Sequence, residues 1–119
     1  MARTSKANEK PTLSRPALEL VARRFRALSD PTRLQLLQEL FAGERTVQDL
    51  CERTGSSQAN TSKHLSLLAR EGLVARRKQG LHAFYRLADE TVFQLCELVC
   101  GSLADRFEEA ARELDRGAP

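Results

Sequence analysis

The most restrictive feature of the sequence is a pair of short helical segments separated by a glycine. The first segment, residues 47–53, is amphipathic and is expected to end at Gly55. The second segment, residues 58–70, places its inward-facing apolar residues in the later turns, at Leu65 and Leu68. Two short helices joined by a tight glycine turn have the outline of a helix-turn-helix.

Two further helices are expected before this pair. Apolar residues at spacings of three and four predict the first helix from Pro16 to Leu28. Asp30 is suited to cap the second helix, and Pro31 to occupy its first turn, because a proline needs no amide donor there. Residues 1–14 lack apolar periodicity and are predicted to form a flexible basic arm.

A β-hairpin and a long helix are expected to follow. Residues 73–77 and 82–87 have strand character and are joined through Lys78-Gln79-Gly80. From a cap at Asp89, a last helix carries a stripe at helical spacing, formed by Val92, Leu95, Cys96, Val99, Leu103, Phe107, Ala110 and Leu114. The sequence therefore predicts a mainly α domain with a small β-hairpin, a winged helix-turn-helix, over residues 15–116.

The apolar faces of the first and last helices exceed what so small a chain can cover. At 119 residues the protein has room for one domain. A second copy of the chain would bury both faces. The sequence thus predicts a homodimer that pairs through these two helices.

Charge is distributed unevenly along the chain. Residues 1–30 and 31–87 each carry a formal net charge of +4, whereas residues 88–119 carry −5. A basic body with an acidic carboxyl-terminal segment favours a polyanionic partner on one side of the molecule.

The fourth helix and the hairpin tip carry the candidate nucleic-acid contacts. Polar residues crowd the helix start, where a recognition helix enters the major groove: Ser57, Gln58, Asn60, Thr61, Ser62, Lys63 and His64. Glutamine and asparagine can pair with adenine edges, and lysine favours phosphate or guanine. The tip from Arg76 to Gly80, with Arg77, Lys78 and Gln79 between them, is expected to reach phosphate or the minor groove. Double-stranded DNA is therefore the predicted partner.

Composition disfavours several other classes of protein. No apolar run is long enough to span a bilayer, and residues 1–10 lack the apolar core of a signal peptide, so a cytoplasmic location without membrane contact is expected. Three cysteines are too few for a secreted disulfide scaffold. One tyrosine and no tryptophan leave little aromatic surface for RNA or single-stranded DNA.

The sequence motifs of the chain resemble those of the ArsR/SmtB family of bacterial winged-helix repressors. Five stretches carry the resemblance in order: residues 27–34, 47–51, 62–65, 68–73 and 77–80 with Tyr85-Arg-Leu87. The resemblance implies a homodimer bound to a palindromic operator until an inducer releases it. Gln58 to His64 would then make the base contacts.

The resemblance does not extend to the family's best-known metal-binding motifs. Where the family's arsenic motif reads Cys-Val-Cys-Asp-Leu-Cys, this chain has Thr46 through Cys51 with a thiol only at Cys51. The zinc motif of the last helix would match Asp89 and Asp105 but lacks both histidines, and carboxylates alone hold Zn²⁺ poorly. Neither standard site is expected.

Cys96 and Cys100 lie one helical turn apart, so that their sulfurs share a face. They can bind a soft metal or metalloid ion, act as a redox or persulfide sensor, or serve only as small apolar residues. Cys51 is a third candidate for metal or thiol sensing, although its neighbours Leu50 and Glu52 favour a packing role on a half-buried helix position. No cofactor is predicted with certainty.

The sequence disfavours two functions other than a DNA-binding repressor. A cysteine–histidine enzyme using Cys51 and His64 lacks any accompanying oxyanion loop, nucleotide motif or carboxylate cluster. A winged-helix module that binds only proteins would not need the basic arm, the basic hairpin or the polar helix start. The sequence therefore predicts a DNA-binding repressor and not an enzyme.

Overall fold

A computed structural model describes residue 10 and residues 12–117. Five helices and three strands follow in order: α1 (Arg15–Leu28), α2 (Pro31–Phe41), β1 (Arg45–Thr46), α3 (Val47–Thr54), α4 (Gln58–Arg70), β2 (Val74–Gln79), β3 (His82–Leu87) and α5 (Glu90–Gly117). The mainly helical winged helix-turn-helix expected from the sequence is confirmed. Ten of the fourteen residues of the predicted arm, residues 1–9 and 11, lie outside the described residues.

Side-chain caps define where the helices of the body begin. Asp30 Oδ1 accepts from the amides of Thr32 and Arg33 at 2.8 and 3.0 Å, and Pro31 occupies the first turn of α2. Ser57 Oγ accepts from the α4 amide of Asn60 at 3.1 Å. Because these caps satisfy otherwise unpaired amides, the positions of α2 and α4 follow from local sequence.

The sheet has one more strand than the sequence predicted. β1 pairs antiparallel with β3, aligning Arg45 with Tyr85, so that β3 lies between β1 and β2. A two-residue strand is too short to show an alternating pattern, which explains its omission. The hairpin prediction also needs correction, because β2 continues to Gln79 and the turn consists of Gly80 and Leu81.

The core lies where α2, α3, α4 and the sheet meet. Its fully buried leucines come from four different elements or their connections: Leu36, Leu37, Leu50, Leu65, Leu68 and Leu73. Tyr85 and Val92 extend this cluster to β3 and the first turn of α5. Burial from separated segments fixes the orientation of α4 relative to the wing.

Two surfaces remain apolar and uncovered within the chain. From Glu97 to Asp115 every residue of α5 is exposed. The exposed large apolar residues of the two outer helices are Leu18, Leu20, Val21 and Phe25 in α1 and Leu98, Val99, Leu103, Phe107 and Leu114 in α5. None of the described helices has both the length and the apolar character needed to cross a membrane.

Candidate nucleic-acid interface

The turn between α3 and α4 holds the two helices in a fixed arrangement. Gly55 ends α3 with a φ of 74°, and its amide donates to the Cys51 carbonyl at 2.9 Å. A side chain at this φ would be strained, so glycine is required for the tight turn. Leu50 of α3 and Leu65 of α4 are both fully buried behind it. The start of α4 is thereby presented outward.

Most of the predicted recognition residues lie on the outer surface of α4. Gln58, Asn60 and Lys63 are exposed, and Ser62 is half-buried. Ser57 is also exposed, but its hydroxyl accepts the capping hydrogen bond from α4. The structure therefore offers two amides, a lysine and a serine hydroxyl at the start of the helix.

The position of Thr61 contradicts the prediction that its side chain contacts DNA. Its side chain is fully buried, and its Oγ1 has no hydrogen-bond partner among the described residues. Thr61 precedes Leu65 by four residues and Leu68 by seven, which places all three on the inner face of α4. The helical spacing held this information, but the polar side chain suggested the opposite face.

His64 is drawn into the body of the protein. Arg33 Nη1 lies 3.3 Å from His64 Nδ1, while other nitrogens of Arg33 donate to the carbonyls of Ala27 and Arg26 at 2.7 and 3.1 Å. Since a guanidinium only donates, a hydrogen bond between these two side chains requires Nδ1 of His64 as the acceptor. His64 is half-buried and links α4 to α2 through this contact.

Arg33 also acts on the cap of α2. The backbone amide of Arg33 donates to Asp30, and this bond, with that from Thr32 and the nearby Arg33 charge, keeps the pKa of Asp30 below its usual value of 3.8 against the opposing effect of burial. The carboxylate is therefore ionised when it caps the helix.

The three basic residues of the wing divide between its two faces. Successive side chains of β2 point to opposite faces of the sheet. Arg76 pairs across the strands with Tyr85, and Arg77 pairs with Phe84. The guanidinium of Arg77 donates to both carboxylate oxygens of Glu44 at 3.1 and 2.7 Å and lies 4.5 Å from the centre of the Phe84 ring. Arg77 is thus anchored on the outer face of the wing.

The pair of Glu44 and Arg77 is strong enough to affect titration. The hydrogen bond from Arg77 lowers the pKa of Glu44, and the same bond raises the pKa of Arg77. Arg77 also donates to the side-chain oxygen of Gln79. Two of the four predicted wing contacts are therefore occupied within the protein, whereas Arg76 and Lys78 form no ion pair with any described residue.

A groove of about 700 Å³ separates the start of α4 from the wing. Its walls come from α4, the wing and the start of α3: Gln58, Ser62, Ser66, Arg76, Leu81, His82, Ala83, Tyr85, Thr46, Val47 and Gln48. Hydroxyl, amide and guanidinium donors on both walls suit a sugar–phosphate strand between them. Ser66 was missed by sequence reasoning although it follows Ser62 by one helical turn.

The cysteines lie away from this groove. Cys96 is half-buried against the core and Cys100 is exposed one turn later on α5, while Cys51 is half-buried on α3. Burial raises the pKa of the Cys96 thiol, and Cys100 raises it further. Within the residues described, no three histidines, cysteines or carboxylates are grouped to hold a metal ion.

Comparison with known proteins identifies the helix-turn-helix region. Residues 30–76 match the model of the family "Bacterial regulatory protein, arsR family". The "Probable mercury resistance operon repressor" of Streptomyces lividans is 44% identical over 87 residues, which is 73% of this chain and 70% of that protein. The "Arsenical resistance operon repressor" of Escherichia coli K12 is 48% identical over 67 residues, 54% of this chain and 56% of the relative.

A solved structure extends the similarity to the whole fold. A homodimeric winged helix-turn-helix DNA-binding domain of Mycobacterium bovis, described as a possible ArsR-family transcriptional regulator, superposes with a TM-score of 0.72 at 35% identity. The match covers 87% of this chain and 95% of that fragment. These relatives are regulators of transcription and not enzymes. The residue resemblance, the groove geometry and the matches agree, and the chain belongs to the arsR family of bacterial regulatory proteins.

Proposed function

We propose that this protein is a cytoplasmic, homodimeric repressor that binds a palindromic operator through α4 and the wing and is released by a thiol-binding inducer. The observation that carries the proposal is the groove between α4 and the wing. Its two walls bring the exposed amide of Gln58 and the unpaired charge of Arg76 to one side of the molecule.

The two walls have different tasks in this proposal. Gln58 and Asn60 project from the start of α4, where amide side chains can read adenine edges in the major groove. Lys63, Arg76 and Lys78 are exposed cations and supply phosphate contacts that fix the register but do not read sequence.

Homodimer formation is supported by apolar surface and by charge. Both α1 and α5 expose large apolar side chains that no other described residue buries. Helix α1 carries a formal net charge of +3 and α5 carries −4, so that a second copy would pair opposite charges as well as apolar faces. The similar domain from Mycobacterium bovis is homodimeric.

Release is proposed to act through Cys96 and Cys100. Their thiols lie one turn apart on α5, and Cys96 belongs to the apolar stripe that would meet the partner. Two soft donors suit an ion of low coordination number such as Hg²⁺. Similar proteins are named for mercury and arsenical resistance operons. An ion that binds the DNA-free arrangement of the dimer more tightly would move the two α4 helices out of operator spacing.

DNA binding can be tested with a duplex that the wild-type protein selects from a random library. We expect a palindromic sequence, protection of two half-sites about one helical turn apart, and affinity that falls steeply as salt increases. Selection of no preferred sequence, or an affinity independent of salt, would contradict the proposal.

Inducer sensing can be tested on the same duplex with Hg²⁺, arsenite and Cd²⁺ in separate titrations. A Cys96→Ser/Cys100→Ser variant should bind DNA like wild type but remain bound when the effective ion is added. A Cys51→Ser variant is the matched control and should still be released. Release of the double variant at wild-type ion concentrations would exclude the pair as the sensor.

A further inference from the structure

The tip of the wing carries a fully exposed apolar side chain. Leu81 is 99% exposed and occupies the second position of the two-residue turn between β2 and β3. An isolated exposed leucine is ordinary on a protein surface. The orientation of Leu81 and the residues around it indicate a role in binding.

Leu81 lies on the side of the wing that faces the recognition helix. It lines the same groove as Gln58 and Ser62 of α4 and Arg76 of β2. The wing therefore presents an apolar side chain toward the surface from which the α4 amides project. A strand of DNA seated in the groove would pass between α4 and this leucine.

The turn holds Leu81 in a defined position. Gln79 and His82 pair across the hairpin and close the turn, and Gly80 has a φ of 61°. A two-residue hairpin turn with positive φ only at its first central residue is well suited to strand twist, and glycine is the residue that adopts it without strain. Toward the tip β3 pairs with β2 alone, through Lys78 with Ala83 and Gln79 with His82, so the hairpin itself holds the turn.

The charges near the tip indicate which partner covers the leucine. Arg76 and Lys78 are exposed on β2 and have no ion-pair partner among the described residues, whereas Arg77 is held by Glu44 on the other face. An apolar tip with cations behind it matches the minor groove, which has phosphates on its rims and sugars and base edges inside. Proteins that enter this groove frequently place apolar side chains between or against the bases.

We propose that Leu81 enters the DNA minor groove beside the major groove contacted by α4, where it contacts sugars and base edges and selects against G·C pairs. The proposal rests on the proposed DNA-binding function. Selection follows because the guanine amino group projects into the minor groove, and an apolar side chain pressed against it leaves that donor without a hydrogen bond.

The first test measures affinity for the selected duplex by fluorescence anisotropy at several salt concentrations. Leu81→Ala should weaken binding at least about tenfold, because three carbons are lost from a buried contact in each of the two bound chains. The slope of log affinity against log salt should stay at its wild-type value, since no charge is removed. Lys78→Ala should instead lower that slope. Leu34→Ala removes the same atoms from an exposed leucine of α2 and should leave affinity unchanged.

The second test changes only the minor groove. At the pairs contacted by the wing, identified by hydroxyl-radical footprinting, G·C is compared with inosine·C, which lacks the guanine amino group and keeps the major-groove edge. Wild type should prefer inosine·C several-fold, and Leu81→Ala should lose this preference. If wild type selects no duplex, both proposals fail. If wild type binds and Leu81→Ala has wild-type affinity and discrimination, only the assignment of Leu81 is overturned.

Discussion

The body of the molecule and its last helix are built in opposite ways. In the body, leucines from α2, α3 and α4 are fully buried, helix starts are capped, and Arg77 is paired with Glu44. In α5, by contrast, all side chains from Glu97 to Asp115 are exposed. The surface proposed to bind DNA is therefore held together within one chain, whereas the apolar stripe of α5 would be buried only by the proposed second copy.

The largest expected effect comes from placing a charge in that stripe. Phe107→Glu should prevent dimer formation and weaken binding to the selected duplex at least about a hundredfold, because a buried unpaired carboxylate is costly and one protomer contacts only one half-site. Sedimentation velocity would follow the dimer and anisotropy the affinity.

A matched control distinguishes the effect of disrupting the apolar stripe from the effect of adding negative charge to α5. Arg112 lies on the opposite side of α5 by helical spacing, and Arg112→Glu should leave the dimer intact. A dimer that survives Phe107→Glu would show that α5 does not need a partner along this face.

The next effect concerns sequence reading by the body. Gln58→Ala should weaken binding to the selected duplex about tenfold while changing non-specific binding little, since it removes a base contact and no charge. Gln38→Ala makes the same substitution on the exposed surface of α2, away from the proposed interface, and serves as the control. Equal losses on selected and random duplexes would reject Gln58 as a base contact.

The two faces of the wing should differ in a salt titration. Arg76→Gln should lower the slope of log affinity against log salt by about one for each half-site. The Glu44→Gln/Arg77→Gln variant removes a neutral pair and should leave the slope near its wild-type value. If the double variant lowered the slope as much as Arg76→Gln, the internal pairing of Arg77 would not persist on DNA.

The Asp30 cap provides a test of stability within the body. Asp30→Ala should lower the free energy of unfolding by about 1 kcal/mol at neutral pH, whereas Asp30→Asn should retain most of the cap. Because hydrogen bonds lower the pKa of folded Asp30 below 3.8, its contribution is fully present above the unfolded pKa and is lost as pH falls through the folded pKa. Chemical denaturation at fixed protein concentration should thus show a weaker loss of stability below about pH 4 for Asp30→Asn than for wild type. Identical pH profiles would contradict this assignment.

The smallest effect is expected at Thr61. Replacing its unpaired buried hydroxyl by a methyl group, Thr61→Val, should raise the free energy of unfolding by up to about 1 kcal/mol. Operator affinity should not change, since the side chain cannot reach DNA. A clear loss of affinity without loss of stability would restore Thr61 as a contact.

Local sequence was sufficient to predict most of the body. Asp30-Pro31 and Ser57 determine helix starts through hydrogen bonds within three residues, and Gly55 determines the turn by its φ. Such signals lie within one or two turns of the residues that they affect. The helices and the hairpin could therefore be predicted close to their observed limits.

The functional surface was harder to predict because its contacts connect distant parts of the chain. Glu44 pairs with Arg77 across 33 positions, and Arg33 reaches His64 across 31. No local pattern reports either contact. Thr61 is different, since its spacing to Leu65 already indicated the buried face and only its polarity was misleading. Leu81 lies in the hairpin turn and belongs to no periodic pattern, so the sequence does not indicate that it faces α4.

The most direct test of the contrast between body and last helix is the stoichiometry on the selected duplex, measured by sedimentation at concentrations well above the dissociation constant. The account predicts two chains on each palindromic duplex, and cooperative loss of both when Phe107→Glu is introduced. One wild-type chain bound per palindrome, with an affinity that Phe107→Glu leaves unchanged, would contradict it.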